Sequence, residues 1–201
     1  MSSTVNSLIP FLVALSFAAG LNVYATTGTL GILAHFHWVE LPPGLDVLAN
    51  RWVILGSVLC FGCEFFADKI PYFDLVWNVL HTFVRIPVAA LLAYRASMAL
   101  PPEMQWALTA MGAGVATVAH SGKTAARTLV SATPEPVTNI GLSSGEDVAT
   151  IGLVWVATRH PWVAGIAAGV GVVVVVVFAR WVVRVIGREM RRLRLVWREE
   201  D

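Results

Sequence analysis

Trp162-Val-Ala-Gly-Ile-Ala-Ala-Gly-Val-Gly-Val-Val-Val-Val-Val-Val-Phe-Ala179 carries no charge, holds six consecutive valines and runs straight into Arg180. A helix needs about 20 apolar residues to cross a hydrocarbon core of roughly 30 Å, so this stretch reads as a membrane span. The composition of the whole chain agrees. Of 201 residues, 57% are Ala, Val, Ile, Leu, Met, Phe, Trp, Tyr or Cys and only 13% are charged, with a mean hydropathy of +0.70. A soluble domain carries about 25% charged residues. A chain with half that share could not cover a water-facing shell, which excludes a soluble globular protein. The formal net charge of +1 gives no overall pull toward nucleic acid, and no nucleic-acid partner is expected.

Outward from that span, five more stretches are apolar enough to cross. Leu8 to Ala34 is the longest, with Gly20 and Asn22 marking a break in its middle. Trp52 to Ala67 ends among Glu64 and Asp68, and Leu75 to Tyr94 has His81 and Arg85 at its centre. Met104 to Ala119 follows the turn signal Pro101-Pro102. Gly141 to Thr158 begins at Ser143-Ser144-Gly145-Glu146, a capping-box pattern with acids in the first turn. The expectation is an all-α polytopic membrane protein of about six transmembrane helices, residues 1–201 forming one transmembrane domain.

Orientation rests on seven Arg, from Arg180 to Arg198, five of them in the basic tail of residues 187–201. The positive-inside rule places that tail in the cytoplasm, and an even number of spans then brings the N-terminus there too. Lys69, Lys123 and Arg127 fall inside and Arg51, Arg95 and Arg159 outside. The expected partners are the lipid bilayer first and, at the tail, anionic headgroups second. Gly165, Gly169 and Gly171 would let the last helix approach a second copy closely, so a homodimer is a third expected partner. The apolar N-terminal run lacks a basic lead and is too long for a secretory signal, so it reads as retained.

Sliding the sequence by 92 positions sets Gly20-Leu21-Asn22-Val23 on Gly112-Ala113-Gly114-Val115 and Leu41-Pro42-Pro43 on Thr133-Pro134-Glu135. A gap of two then brings Lys69-Ile70-Pro71 onto Arg159-His160-Pro161. This suggests repeats over 8–99 and 100–186. Three spans per half would force the second half in from the opposite side, the inverted arrangement of many secondary transporters.

Charged side chains at membrane depth are costly and mark function by default. Glu64 and Asp68 are four apart on one helix face. Asp74, Asn78, His81 and Arg85 form a polar stripe on the third helix, and His120, Lys123 and Arg127 a basic one continuing the fourth. Such faces are satisfied only by one another or by water. Arg85 should pair with Glu64 or Glu146. The other reading of Lys69, Asp74, Lys123 and Arg127 is ion pairing at helix ends, and Glu146-Asp147 could merely complement a helix dipole.

Between the basic stripe and that acidic pair lies Ser131-Ala-Thr-Pro-Glu-Pro-Val-Thr-Asn139, where two prolines interrupt any regular helix and Asn139 can cap the next. It reads as a re-entrant element or as an ordinary loop. Cys60 and Cys63 spell C-x-x-C inside an apolar stretch, where a thiolate is disfavoured. They read as small packing residues. No metal site and no cofactor is expected.

The segments Glu64-Phe-Phe-Ala-Asp68-Lys69-Ile-Pro71-Tyr-Phe-Asp74, Thr82-Phe-Val-Arg85-Ile-Pro87, His120-x-x-Lys123-x-x-x-Arg127 and Ser143-x-x-Glu146-Asp147 resemble the bacterial membrane-protein family known as domain of unknown function 4126. The resemblance covers the chain from about Gly20 to the last span, with E-x-x-x-D-K-I-P as its most specific part. It implies a polytopic protein of a bacterial inner membrane in which these polar motifs matter, and it implies no activity.

Three functions fit. A small transporter or channel, proton-coupled and taking an anionic or zwitterionic substrate, would use Glu64, Asp68, Lys69, Asp74, Asn78, His81, Arg85, His120, Lys123, Arg127, Asn139, Glu146 and Asp147 as a substrate or ion pathway. A non-transporting scaffold or assembly factor would use the same charges as interhelical locks. An intramembrane or lipid-handling enzyme would pair His81 or His120 with a carboxylate, but no nucleophile elbow, H-E-x-x-H or phosphate loop is present, so no enzyme is expected.

Overall fold

The computed structural model describes residues 2–70, 73–131 and 136–199. It holds seven α-helices, α1 Ser2–Leu21, α2 Val23–His35, α3 Arg51–Ala67, α4 Phe73–Ala96, α5 Pro102–Ser131, α6 Pro136–Arg159 and α7 Pro161–Glu199, with a 3-10 helix over Pro43–Ala49. There is no strand among the described residues. Four helices open directly after or at a proline, whose fixed φ suits the first turn and whose missing N–H costs nothing there.

The expected break in the first apolar run is real and sits at Asn22. Its backbone is extended, φ −151° and ψ 103°, so the α1 ladder cannot continue. Its side chain accepts from Ala25 N at 2.9 Å and starts α2 afresh. The break turns the chain back. Gly28 of α2 packs on Ser57 and Gly31 on Leu48 O, while His35 Nδ1 lies 3.0 Å from Ala49 O. The end of α2 therefore returns to the end of the bundle where α3 begins. There the N-terminal part of α1 also lies: Ser7 and Leu8 share a cleft with Leu41, Leu100 and Ala157.

The other helices take their directions from close contacts. Gly20 abuts Ala116 and Ala119 while Gly112 abuts Ser16, so α1 and α5 run parallel. Gly165 abuts Pro10 and Gly171 abuts Phe17, so α7 runs the same way. A Cβ on Gly20 would lie 2.6 Å from Ala116 O and one on Gly165 2.5 Å from the Pro10 Cβ, so neither site has room for a side chain. The α4 and α6 helices run opposite. Thr82 and Arg85 meet His120, and Asp147 meets Asn22. From α3 onward the chain thus traverses the bundle five times, while α1 and α2 together form a V that enters and leaves at one end. The apolar centre is built on α1, whose Leu12, Ala14, Ala18 and Ala19 are fully buried.

Four expectations are corrected. The first apolar run does not traverse the bundle, because Asn22 reverses it, and the start of α1 and the end of α7 consequently lie at opposite ends of the molecule. The sixth helix starts at Pro136 and not near Gly141, so Ser143 and Glu146 lie in the body of α6 and form no capping box. Cys60 and Cys63 are exposed and free on the outer face of α3, not packed inside. Gly165 and Gly171, offered for a second copy, are used within the chain against α1, and of the three only Gly169 has an open face. The proline pair falls in part outside the described residues, at 132–135.

The polarity of the bundle is inverted relative to a soluble protein. Exposed positions include Leu55, Leu59, Val79, Phe83, Ile166, Val173 and Val177, while Glu64, Asp68, Arg85, Lys123 and Arg127 are buried. Trp38, Trp52, Trp106 and Trp162 are exposed near the end that holds the α1 N-terminus, and Trp181 toward the other, as in an interfacial aromatic belt. By length and composition two stretches can cross a membrane, Val76–Ala96 and Pro161–Val182, and a third counts if the 3-10 helix and α3, bent by 68°, form one span. These apolar helices fit a membrane location.

Candidate functional site

The polar residues picked out along the sequence converge around the tip of the α1–α2 V. On α3, the four-residue spacing puts Glu64 and the helix-ending Asp68 on one face. On α4, Asn78, His81 and Arg85 line the face turned toward them. On α5, His120, Lys123 and Arg127 fall one turn apart, and α6 supplies Glu146 and Asp147 midway along its length. All are buried apart from Glu146, whose side chain is 11% exposed.

Arg85 forms a direct ion pair with Glu64, as its depth in the bundle requires. It also donates from Nη1 to Asn78 Oδ1 at 2.9 Å and lies 2.9 Å from His120 Nδ1. A guanidinium has only donors, so Nδ1 of His120 accepts. The imidazole proton is then on Nε2, which faces Thr82 Oγ at 2.7 Å. Lys123 is the hub. Its Nζ reaches Asp68 at 2.8 Å and Glu64 and Glu146 at 3.5 Å each, and it donates to Leu21 O at 3.0 Å. That carbonyl belongs to the last turn of α1, where the break leaves it without a helical partner. Arg127 pairs with Glu146 at 2.7 Å and Asp68 at 3.2 Å and donates to Asp68 O at 2.8 Å.

Asn22, which the sequence marked only as a helix break, is part of the site. Its Nδ2 donates to Asp147 Oδ1 at 2.9 Å while its Oδ1 caps α2. An amide in the middle of an apolar run was the available signal, since its two-sided chemistry suits both a cap and a buried carboxylate. Ser143, which the sequence offers as a cap and within the Ser143-x-x-Glu146-Asp147 motif, is fully buried one turn before Asp147 and is part of the same polar face.

The remaining candidates lie at the margins. Lys69 donates to Phe65 O at 3.1 Å and lies over the Phe65 ring, half-exposed. His81 directs Nδ1 to Trp77 O at 2.8 Å and stacks on Trp77 and against Tyr24. Asp74 and Asn139 sit on α4 and α6 with side chains outside the described set. Among the described residues, no three His, Cys, Asp or Glu come together as a metal site. A cleft of about 380 Å³ lies at the opposite end of the bundle and touches none of these residues.

Chemically, the arrangement sets three basic side chains, Arg85, Lys123 and Arg127, among four acidic ones, Glu64, Asp68, Glu146 and Asp147. Burying ions costs several kcal/mol each, offset only by close pairing. A family model described as Domain of unknown function (DUF4126) matches residues 9–184. No curated protein and no solved structure matches the chain.

Proposed function

We propose, for a chain that belongs to the family described as Domain of unknown function (DUF4126), that it is a small proton-linked membrane transporter whose buried ion-pair network is the substrate site in its closed form. The observation that carries this reading is where the network lies. Asp68 of α3 meets Lys123 and Arg127 of α5, Arg85 of α4 meets His120 of α5, and Asn22 of the V meets Asp147 of α6. These contacts join the first half of the chain to the second at the tip of a re-entrant element.

Helix directions support an inverted repeat from α2 onward. In this reading α3 is matched by α6 and α4 by α7, and each pair runs oppositely, as such a repeat requires; α1 alone departs from it. The chain crosses the bilayer five times, with the α1–α2 V entering and leaving at one face. Buried charges turn inward while apolar residues face lipid, so α5 and α6 can cross despite their polar content.

Coupling follows from competition. The cations that would hold an anionic or zwitterionic substrate are held in the closed form by Glu64, Asp68 and Glu146. Protonating those carboxylates frees Lys123 and Arg127 for the substrate, so proton and anion travel together. The test is flux in liposomes. Purified protein should carry protons in step with an anion, and Glu64→Gln should abolish that flux while leaving the fold intact.

A second reading has one observation in its favour. Glu64, Arg85 and Arg127 are fully buried and directly paired, as in a static scaffold locked by intramembrane ion pairs. That reading predicts no flux with any ion, and a network replaced in concert by apolar residues that folds as well as the original.

A further inference from the structure

We propose that Asp147 holds an exchangeable proton on Oδ2 at the tip of the α1–α2 V, a proton-binding site distinct from the ion pairs of the network. The inference rests on the transport reading above only for what the proton does. Its placement stands on geometry.

Asp147 is 5% exposed. Its Oδ1 accepts from Asn22, and its Oδ2 has no hydrogen-bond partner. What sets it apart from Glu64, Asp68 and Glu146 is that each of those has a Lys or Arg within 4.0 Å, whereas among the described residues no ion pair of that length reaches Asp147. An isolated buried carboxylate is far costlier than its neutral acid. One proton removes that cost. Ser143 lies one turn away on the same face of α6, fully buried, with an Oγ that likewise lacks a partner. A metal ion would need several oxygens at once, and no such group forms among the described residues.

The groups that face Asp147 explain how the proton is exchanged. Asn22 comes from the V, Lys123 from α5, and Glu64 and Asp68 from α3, with Lys69 just beyond α3. With the proton on, Asp147 is neutral and Lys123 stays with Asp68. With it off, a new carboxylate draws on Lys123, whose Nζ also holds Leu21 O. Loss of the proton therefore loosens the last turn of α1, the point about which the V can move.

The test is infrared difference spectroscopy of the purified full chain in lipid, between neutral and strongly alkaline pH, with isotope-labelled aspartate. Wild type should lose one protonated-carboxyl band on alkalinisation. Asp147→Asn keeps an acceptor for Asn22 and should lack that band; Asp147→Ser, smaller and also non-ionisable, is the second variant should the first not fold. Glu64→Gln should retain it. No band in wild type, or a band that survives in the folded Asp147 variant, overturns the proposal, as does sodium-dependent stabilisation in place of the band. The two readings fail separately. A band that follows Asp147 in a protein without flux leaves the proton site standing and removes the transporter. Flux with a band indifferent to Asp147 does the reverse.

Discussion

Arg85 and Glu64 illustrate what a single residue can and cannot reveal about this chain. Their depth in apolar runs forces a partner on each, and the pairing was legible because few carboxylates were within reach. Asn22 was not legible as a site residue, because one amide reads equally as a break, a cap or a contact until the facing helix is known. The energetics of the pair are asymmetric. Arg85→Ala leaves Glu64 buried with only the longer 3.5 Å contact to Lys123 and should cost about 3–5 kcal/mol, read as a lowered melting temperature in detergent. Arg85→Met combined with Glu64→Leu removes both charges and should recover most of that loss. A double-mutant cycle with no coupling between the two positions would contradict the pair seen here.

Among elements, the apolar helices were placed well and their ends poorly. The ends of α3 and α4 fall within two residues of the expected ones, because charge and turn residues bracket them. The start of α6 was misread: Ser143-x-x-Glu146 has the capping pattern, yet the same spacing serves a polar face in mid-helix, and Pro136 starts the helix two turns earlier. The V of α1 and α2 was missed for a different reason. Hydropathy measures how long an apolar run is and carries no information on whether the run continues or turns back. Asn22 holds the turn from two sides, so Asn22→Ala should cost about 1 kcal/mol for the lost cap and about 1–3 kcal/mol for leaving Asp147 Oδ1 unpartnered. Paired with Asp147→Ala, the second part should vanish while the cap loss remains, a distinction that denaturant titration in micelles can read. Gly20→Val would press on the Ala116 backbone and should cost about 1–3 kcal/mol through overpacking, with α1 displaced from α5.

For the molecule as a whole, the path of the chain decides which face each end occupies. In the proposed topology the seven-Arg end of α7 faces the cytoplasm, as the positive-inside rule favours. Tracing back through the five proposed crossings would put Arg51, Arg95 and Arg159 on the far face, and Lys69 on the near one. These are the sides expected for a six-span chain as well, so the loop charges cannot separate the two topologies. Only the N-terminus distinguishes them, and it has no charged side chain before Glu40 to reveal its side. In the V topology residues 2–7 lie on the face opposite the Arg-rich end, since α1 starts beside Leu100 and Ala157. The measurement is thiol labelling in oriented vesicles, with Cys60 and Cys63 replaced by Ala so that the lipid-facing pair contributes nothing. A cysteine at Ser3 should react with an impermeant reagent from the periplasmic side, and one near Glu199 only from the cytoplasmic side. Labelling of both from the cytoplasmic side would mean that the first apolar run crosses after all, and would remove the re-entrant tip on which the shared site depends.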